Sequence, residues 1–100
     1  MSLVAIEATV DAVITDSFKF GSLELPVTFG AGGLSSGEEI GIEASFDNGV
    51  TWENWKTGNS ELKITFGTKQ RTLNAPGVFR FNKPITTNPV HVGISTGANP

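Results

Sequence analysis

The stretch Ser45-Phe46-Asp47-Asn48-Gly49-Val50-Thr51-Trp52 decides how the chain folds. It matches the pattern S-x-D-x-G-x-T-W at every fixed position, which are Ser45, Asp47, Gly49, Thr51 and Trp52. The Asp47 carboxylate can accept hydrogen bonds from N–H groups further along a turn. Gly49 reaches a positive φ without steric cost, and Asn-Gly between two apolar runs is a strong hairpin signal. The stretch therefore predicts a β-hairpin turn built from these five motif residues.

The segments on either side of this turn read as strands. Apolar residues alternate before it at Ile40, Ile42, Ala44 and Phe46, which places them on one predicted core face. Trp52 begins the strand that follows, and its indole is expected to enter the core. Trp55 has the opposite parity and faces outward as a contact surface if the strand continues. If a bulge or the end of the strand intervenes, Trp55 turns inward.

The rest of the chain shows the same period of two. The N-terminal segment places six apolar residues on one parity, with a break expected near Asp11: Val4, Ile6, Ala8, Val10, Ala12 and Ile14. No segment carries an apolar stripe with a helical period. Residues 1–100 are therefore predicted to form one all-β domain. We expect a small antiparallel sandwich or jelly-roll-like barrel of about eight short strands.

Composition excludes several classes of protein. The chain has 100 residues, 38% hydrophobic and 17% charged, which fits one folded domain and is too apolar for a disordered chain. Its net charge of −3 and its seven scattered basic residues argue against nucleic acid as a partner. The absence of cysteine excludes disulfides and thiolate metal sites.

The N-terminus does not read as a targeting segment. Residues 1–8 are apolar but lack a basic region, and Glu7 and Asp11 interrupt the run. No apolar run reaches the roughly 18 residues of a membrane span. We therefore expect a protein made in a cytoplasm with no membrane partner.

The segment Gly30-Ala31-Gly32-Gly33-Leu34-Ser35-Ser36-Gly37 has two readings. Its glycines are typical of loops that hold a phosphate, but neither a Lys-Ser/Thr pair nor a helix follows. The alternative is a mobile loop at one tip of the fold, because glycine loses the most entropy when it is ordered. The sequence favours the mobile loop.

The candidate chemical groups are few. His91 is the only histidine and lies on the polar side of its strand. Glu38-Glu39 and the Asp47–Glu53 pair are the carboxylates that could serve a hydrolase, and the Asp47–Glu53 pair could also bind a calcium ion. Asp47 is needed by its own turn, and Glu38-Glu39 reads as a solvated loop end. We therefore predict no catalytic residue, no metal and no cofactor.

The motif at Ser45–Trp52 is the Asp-box, which recurs in sialidase propellers away from their active sites. This chain has one copy and no repeat of 20 to 50 residues, so the motif predicts a braced hairpin and not a propeller blade. It carries no catalytic role with it.

The order of motifs resembles a second class of protein. The Asp-box, Pro76-Gly77-Val78-Phe79-Arg80-Phe81, Lys83-Pro84 and the closing Val92-Gly93-Ile94 follow one another over about residues 4 to 95. This order is similar to that of small β-sandwich head decoration or cement proteins of tailed bacteriophages. The resemblance implies a non-enzymatic virion protein that binds the major capsid protein or another virion protein. The small core and the extended apolar N-terminal strand leave sheet edges that need cover, which predicts a homo-oligomer. The resemblance favours a trimer at a threefold or quasi-threefold capsid position.

Two surfaces are candidates for binding. The first is Trp55, and the second is the glycine-rich loop with the Phe79–Phe81 strand, which together give Gly32, Gly33, Leu34, Phe79 and Phe81. The competing hypothesis is a carbohydrate- or receptor-binding module of a phage tail fibre or host enzyme. In that case Trp55 and either Phe18 or Phe20 would stack on sugar rings.

Overall fold

Every regular element in the structure is a β-strand. The computed structural model describes residues 2–21, 25–57, 60–73 and 76–96, and no helix occurs among them. In chain order the strands are β1 (Ser2–Thr9), β2 (Val13–Ile14), β3 (Phe18–Phe20), β4 (Val27–Gly32), β5 (Glu39–Ser45), β6 (Glu53–Asn54), β7 (Lys56–Thr57), β8 (Ser60–Glu61), β9 (Lys63–Thr65), β10 (Gln70–Leu73), β11 (Gly77–Lys83) and β12 (Val90–Thr96).

These strands form two antiparallel sheets and a separate small hairpin. The first sheet has four strands in the order β1-β12-β4-β10. The second has six strands: β11 pairs with β2 and β3 on one side and β5 on the other, and β5 then pairs with β6 and β9. Strands β7 and β8 pair only with each other within the described ranges. The predicted all-β antiparallel sandwich is confirmed.

The core lies between the two sheets and is aromatic at its centre. Alternation along the four longest inner strands sends one set of side chains inward: Val27 and Phe29, Ile40, Ile42 and Ala44, Phe79 and Phe81, and Val90, Val92 and Ile94. The Phe29 ring, from the first sheet, meets the Phe81 ring of the second edge-on, with centroids 5.1 Å apart. It also contacts Phe79, with centroids 6.5 Å apart. These ring contacts join the sheets, as offset and edge-on aromatic pairs favour.

Strand β1 does not keep the single buried face predicted for it. Its pairing with β12 shifts between Val4 and Ile6 and again after Ile6. Each bulge adds one residue to β1 and so reverses the face of the side chains that follow. Ile6 is buried, whereas Val4, Val10 and Ile14 are exposed. The break expected near Asp11 is present, because it falls between β1 and β2.

The predicted loop over residues 30–37 is shorter in the structure, because residues 30–32 belong to β4 and only residues 33–37 lie in the connection to β5. Strand β4 continues through Gly32, between β12 and β10, and Leu34 is buried in the core. Gly33 has a φ of 97°, and a Cβ there would collide with the carbonyl oxygen of Pro89, so the position requires glycine. The next element is the strand β5, and the phosphate-loop alternative therefore lacks its helix.

Glu38 ties the end of this segment to the loop between β11 and β12. Its Oε1 accepts a hydrogen bond from Ser35 N at 2.7 Å, and its Oε2 accepts one from Thr87 N at 2.8 Å. The bond from the Ser35 backbone, followed by that from the Thr87 backbone, lowers the pKa of the Glu38 carboxyl. Glu38 therefore acts as a structural link and is not simply the solvated loop end that the sequence predicts.

Lys83 is buried within the same end of the sandwich, with no exposed side-chain area. Its Nζ donates to the Asp11 carbonyl at 2.6 Å, to the Pro84 carbonyl at 3.1 Å and to Thr86 Oγ1 at 3.2 Å. An ammonium group has three hydrogens, so these acceptors satisfy it completely. Because Asp11 lies between β1 and β2, this group fastens the N-terminal strands to β11.

We expect Lys83→Met to lower the free energy of unfolding by about 2–3 kcal/mol, because the hydrogen bonds that the buried ammonium group donates to Asp11, Pro84 and Thr86 are lost. The aliphatic stem is largely retained, so little of the loss would come from a cavity. The exposed Lys19 on β3 offers the matched control, and Lys19→Met should change stability by less than about 0.5 kcal/mol. Denaturant unfolding of both variants measures the difference, and equal stabilities would contradict this role for Lys83.

Candidate functional site

The Asp-box forms a turn held by side-chain hydrogen bonds between β5 and β6. Asp47 Oδ1 accepts from Thr51 N at 2.8 Å and from Ser45 Oγ at 2.9 Å, and Oδ2 accepts from Thr51 Oγ1 at 2.6 Å. Ser45 Oγ in turn accepts from Gly49 N at 2.7 Å. Asn48 and Gly49 have φ of 61° and 92°, the left-handed conformation that an Asn-Gly pair adopts most readily. The backbone of the turn is therefore fixed from within.

The charge of Asp47 is part of this brace. Hydrogen bonds from the Thr51 hydroxyl, the Thr51 backbone and the Ser45 hydroxyl lower the pKa of Asp47 to about 2. The carboxylate is therefore ionised at neutral pH and its oxygens are occupied by the turn. This arrangement does not suit a general acid.

The two tryptophans lie on opposite faces, but in the reverse of the predicted order. Trp52 is half-buried on the outer face, where the Arg80 guanidinium lies 4.4 Å from its ring centroid. Arg80 Nε donates to Glu43 Oε1 at 2.6 Å on the neighbouring strand. The prediction that Trp52 enters the core is wrong. Trp55 is the indole that packs against the core, its ring edge-on to Phe79 with centroids 5.3 Å apart.

The register of the hairpin explains this exchange. Ala44 lies opposite Glu53, and Glu43 lies opposite Asn54. Continuing the register sets Trp52 opposite Ser45, on the polar face of β5, because directly paired residues share one face. Pairing the first residue of the motif, Ser45, with its last, Trp52, would have placed Trp52 on the polar face and Trp55 on the core face from the sequence alone. Of the two alternatives for Trp55, the inward one is therefore correct.

Phe46 is the functional candidate that sequence reasoning missed. Alternation predicts it on the core face, but β5 ends at Ser45 and Phe46 is 75% exposed. Its ring stacks on Trp55, with centroids 6.0 Å apart and planes inclined by 28°. Val50, on the same turn, is 78% exposed. The turn therefore presents two large apolar side chains to solvent at the end of the sandwich.

A cleft of about 380 Å³ opens beside the stacked rings. Its lining is Phe46, Glu53, Asn54, Trp55, Lys56 and Glu61. Asn54 Nδ2 donates to Glu61 Oε2 at 2.6 Å, and Lys63 Nζ lies 3.3 Å from Glu61 Oε1. These two hydrogen bonds, that from Asn54 first, lower the pKa of the Glu61 carboxyl. The cleft thus joins an aromatic wall to a fixed, ionised carboxylate.

The second predicted contact surface is not available on the surface. Phe79, Phe81 and Leu34 are buried in the core, so they cannot meet a partner in this conformation. Gly32 lies beneath the imidazole of His91, which fills the space where a Cβ would stand. Gly33 is the one residue of this surface that is exposed.

The aromatic residues named for sugar stacking also need correction. Phe18 and Phe20 lie on β3 and pack into the core, where the Phe18 ring lies 6.1 Å from the Phe81 ring between centroids. Neither residue lines the cleft with Trp55. Phe46 is instead the second aromatic side chain that lines the cleft beside Trp55.

Comparisons of the chain with models of protein families, with curated proteins and with solved structures found no match. In the described ranges, no three His, Asp or Glu side chains lie together in a way that could hold a metal ion. No helix in the same ranges has the length and apolar character needed to cross a membrane.

The two tryptophans should differ in their contribution to stability. We expect Trp55→Ala to lower the free energy of unfolding by about 2–3 kcal/mol, less than a fully buried aromatic, because part of the indole is open to the cleft. Trp52→Ala should cost only about 0.5–1 kcal/mol, the strength of an exposed cation–π contact. Denaturant unfolding of both variants tests the assignment, and a larger loss for Trp52→Ala would reverse it.

The brace on Asp47 predicts a dependence of stability on pH. The folded pKa of about 2 lies below the roughly 3.9 of an unfolded aspartate. The stabilisation is therefore complete above about pH 5 and is lost as the pH falls through about 4 towards 2. Asp47→Asn keeps the shape and removes this titration. The difference in unfolding free energy between wild type and Asp47→Asn should shrink over that range, and a constant difference would contradict the assignment.

Proposed function

We propose that the protein is a non-enzymatic structural component of a tailed-phage virion, attached to the major capsid protein as a decoration or cement protein. Support comes from the motif order of the sequence, the small all-β sandwich and the exposed apolar tip. The motif order, from the Asp-box through Arg80 to Lys83-Pro84, resembles that of head decoration proteins. The Ser45, Asp47 and Thr51 side chains of the Asp-box all form hydrogen bonds within their own turn.

The observation that carries the proposal is the exposure of Phe46 and Val50 on a rigid turn. A Phe or Val side chain gains about 1.5–3 kcal/mol when it leaves water, so their exposure favours burial against a partner. The hydrogen bonds to Asp47 hold both residues in place before contact. Little conformational entropy is then lost on attachment, which strengthens binding.

The proposed assembly is a homo-oligomer, with the trimer taken from the resemblance alone. Strand β1 pairs only with β12 within the described residues, so one of its edges is open. The two bulges in β1 interrupt that edge and disfavour its regular pairing with another copy. We therefore place the contacts between copies in side chains and on the capsid surface.

Variants of the tip test attachment. We expect Val50→Ser and Phe46→Ala each to weaken binding to virions about tenfold or more, because an apolar contact of at least about 1.4 kcal/mol is lost. Both residues are largely exposed, so unfolding free energies should stay within about 0.5 kcal/mol of wild type. Cosedimentation of purified variants with particles that lack the protein measures the binding.

Phe66→Ala is the matched control for these variants. Phe66 is 48% exposed and lies in the turn between β9 and β10, at the end of the sandwich away from the Asp-box. Its loss should leave particle binding unchanged. Two results would overturn the proposal: the absence of the chain from purified virions, or tip variants that bind as well as wild type.

A further inference from the structure

We propose that the cleft beside Phe46 and Trp55 binds a neutral hexopyranose unit of a glycan. This small-molecule site shares Phe46 with the attachment surface, but Val50 does not line the cleft. The inference depends on the aromatic wall, on the mixture of polar groups facing it and on their charges.

The cleft has the size and rigidity of a ligand site. Its volume of about 380 Å³ falls within the roughly 300–1,000 Å³ of small-molecule pockets. Trp55 is fixed by its edge-on contact with Phe79 and by two backbone hydrogen bonds. Trp55 N donates to Ile42 O at 2.8 Å, and Leu62 N donates to Trp55 O at 2.6 Å. The Trp55 part of the wall, on which Phe46 stacks, is therefore in place before a ligand arrives.

The aromatic wall suits the apolar face of a sugar. Phe46 stacks on Trp55 with one face, and its 75% exposure leaves the other face open. The axial C–H bonds of a pyranose are weakly positive at hydrogen, and an aromatic face carries negative charge. A sugar ring lying flat on Phe46 would thus gain both apolar burial and an electrostatic contact.

The polar lining suits hydroxyl groups, which both donate and accept. Glu53 and Glu61 are acceptors, Lys56 is a donor, and the Asn54 amide offers both functions. Asn54 uses one hydrogen for Glu61 and makes no other side-chain hydrogen bond to the described residues. The Glu53 carboxylate makes none at all with those residues. Asn54 and Glu53 therefore line the cleft and keep hydrogen-bonding capacity for a ligand.

The charges of the lining select a neutral ligand. Two carboxylates disfavour an acidic sugar, since like charges brought together without water are costly. Lys63 Nζ lies 3.3 Å from Glu61 Oε1 and Lys56 also lowers the pKa of Glu61, so cations of the fold already balance the Glu61 charge and leave less of it to attract an arginine or lysine side chain. The same lowered pKa keeps Glu61 ionised, unlike the raised pKa of a glycosidase general acid. The site therefore fits binding of a saccharide without its hydrolysis.

The test is NMR titration of the intact chain with methyl glycosides of glucose, galactose, mannose and N-acetylglucosamine. N-acetylneuraminic acid and free arginine serve as the acidic and cationic comparators. We expect at least one neutral glycoside to shift resonances of the cleft residues and neither comparator to do so. Absence of binding by every neutral glycoside would overturn the proposal, as would tighter binding of either comparator in the cleft.

Variants separate this site from the attachment surface. Phe46→Ala and Glu61→Gln should each raise the Kd for the glycoside about tenfold, because an anchor of the site is lost. Val50→Ser and Phe66→Ala should leave that Kd unchanged. If Val50→Ser still binds particles normally, only the attachment proposal is refuted. If Phe46→Ala and Glu61→Gln both bind the glycoside normally, only the saccharide proposal is refuted.

Discussion

Hydrogen bonds received by the Asp47 carboxylate determine the geometry on which the tip of the sandwich depends. Thr51 provides two of them and Ser45 the third, so both ends of the turn are tied to one charged group. The closed turn sets the register of β5 against β6, and the register sends Trp52 outward and Trp55 inward. This local network of charge-assisted hydrogen bonds thus determines which of the two tryptophans packs against the hydrophobic core. Without these hydrogen bonds, little else would specify the register of the two-residue strand β6 against β5.

The fold could be predicted where a strand is paired on both sides and alternates without interruption. Strand β5 meets this condition, and the period of two gives its buried face correctly except at Phe46, beyond the end of the strand. Phe79 and Phe81 of β11 also share one face, but that face is the core and not the predicted contact surface. Strand β1 fails because its bulges arise from pairing with β12, and its own alternation carries no trace of them. The glycines of β4 read as a loop for a related reason. Gly32 is a strand residue that makes room for the His91 ring, and only the paired strand reveals that need.

The candidate site could be predicted only in part. The turn residues could be predicted because their hydrogen-bond partners lie within the same short stretch of sequence. The prediction for Trp52 is wrong and the inward alternative for Trp55 is correct, because parity alone cannot say which face is the core. Lys83 shows the limit of prediction from local sequence, because a lysine is expected at the surface and the structure buries it. The main acceptor of Lys83 Nζ is the carbonyl of Asp11, which lies 72 positions away, so no local pattern could announce the contact.

The two proposed ligands place competing demands on one side chain. Attachment requires the exposed face of Phe46 to be buried against a protein, and saccharide binding requires the same face to carry a sugar ring. One aromatic face cannot do both, so a copy attached through Phe46 would have its cleft closed along the aromatic wall. Glu61 lines the cleft and Val50 does not, so each belongs to one of the two proposed surfaces. A glycan in the cleft would therefore compete with the capsid for the tip, and the stronger ligand would decide which surface the protein presents.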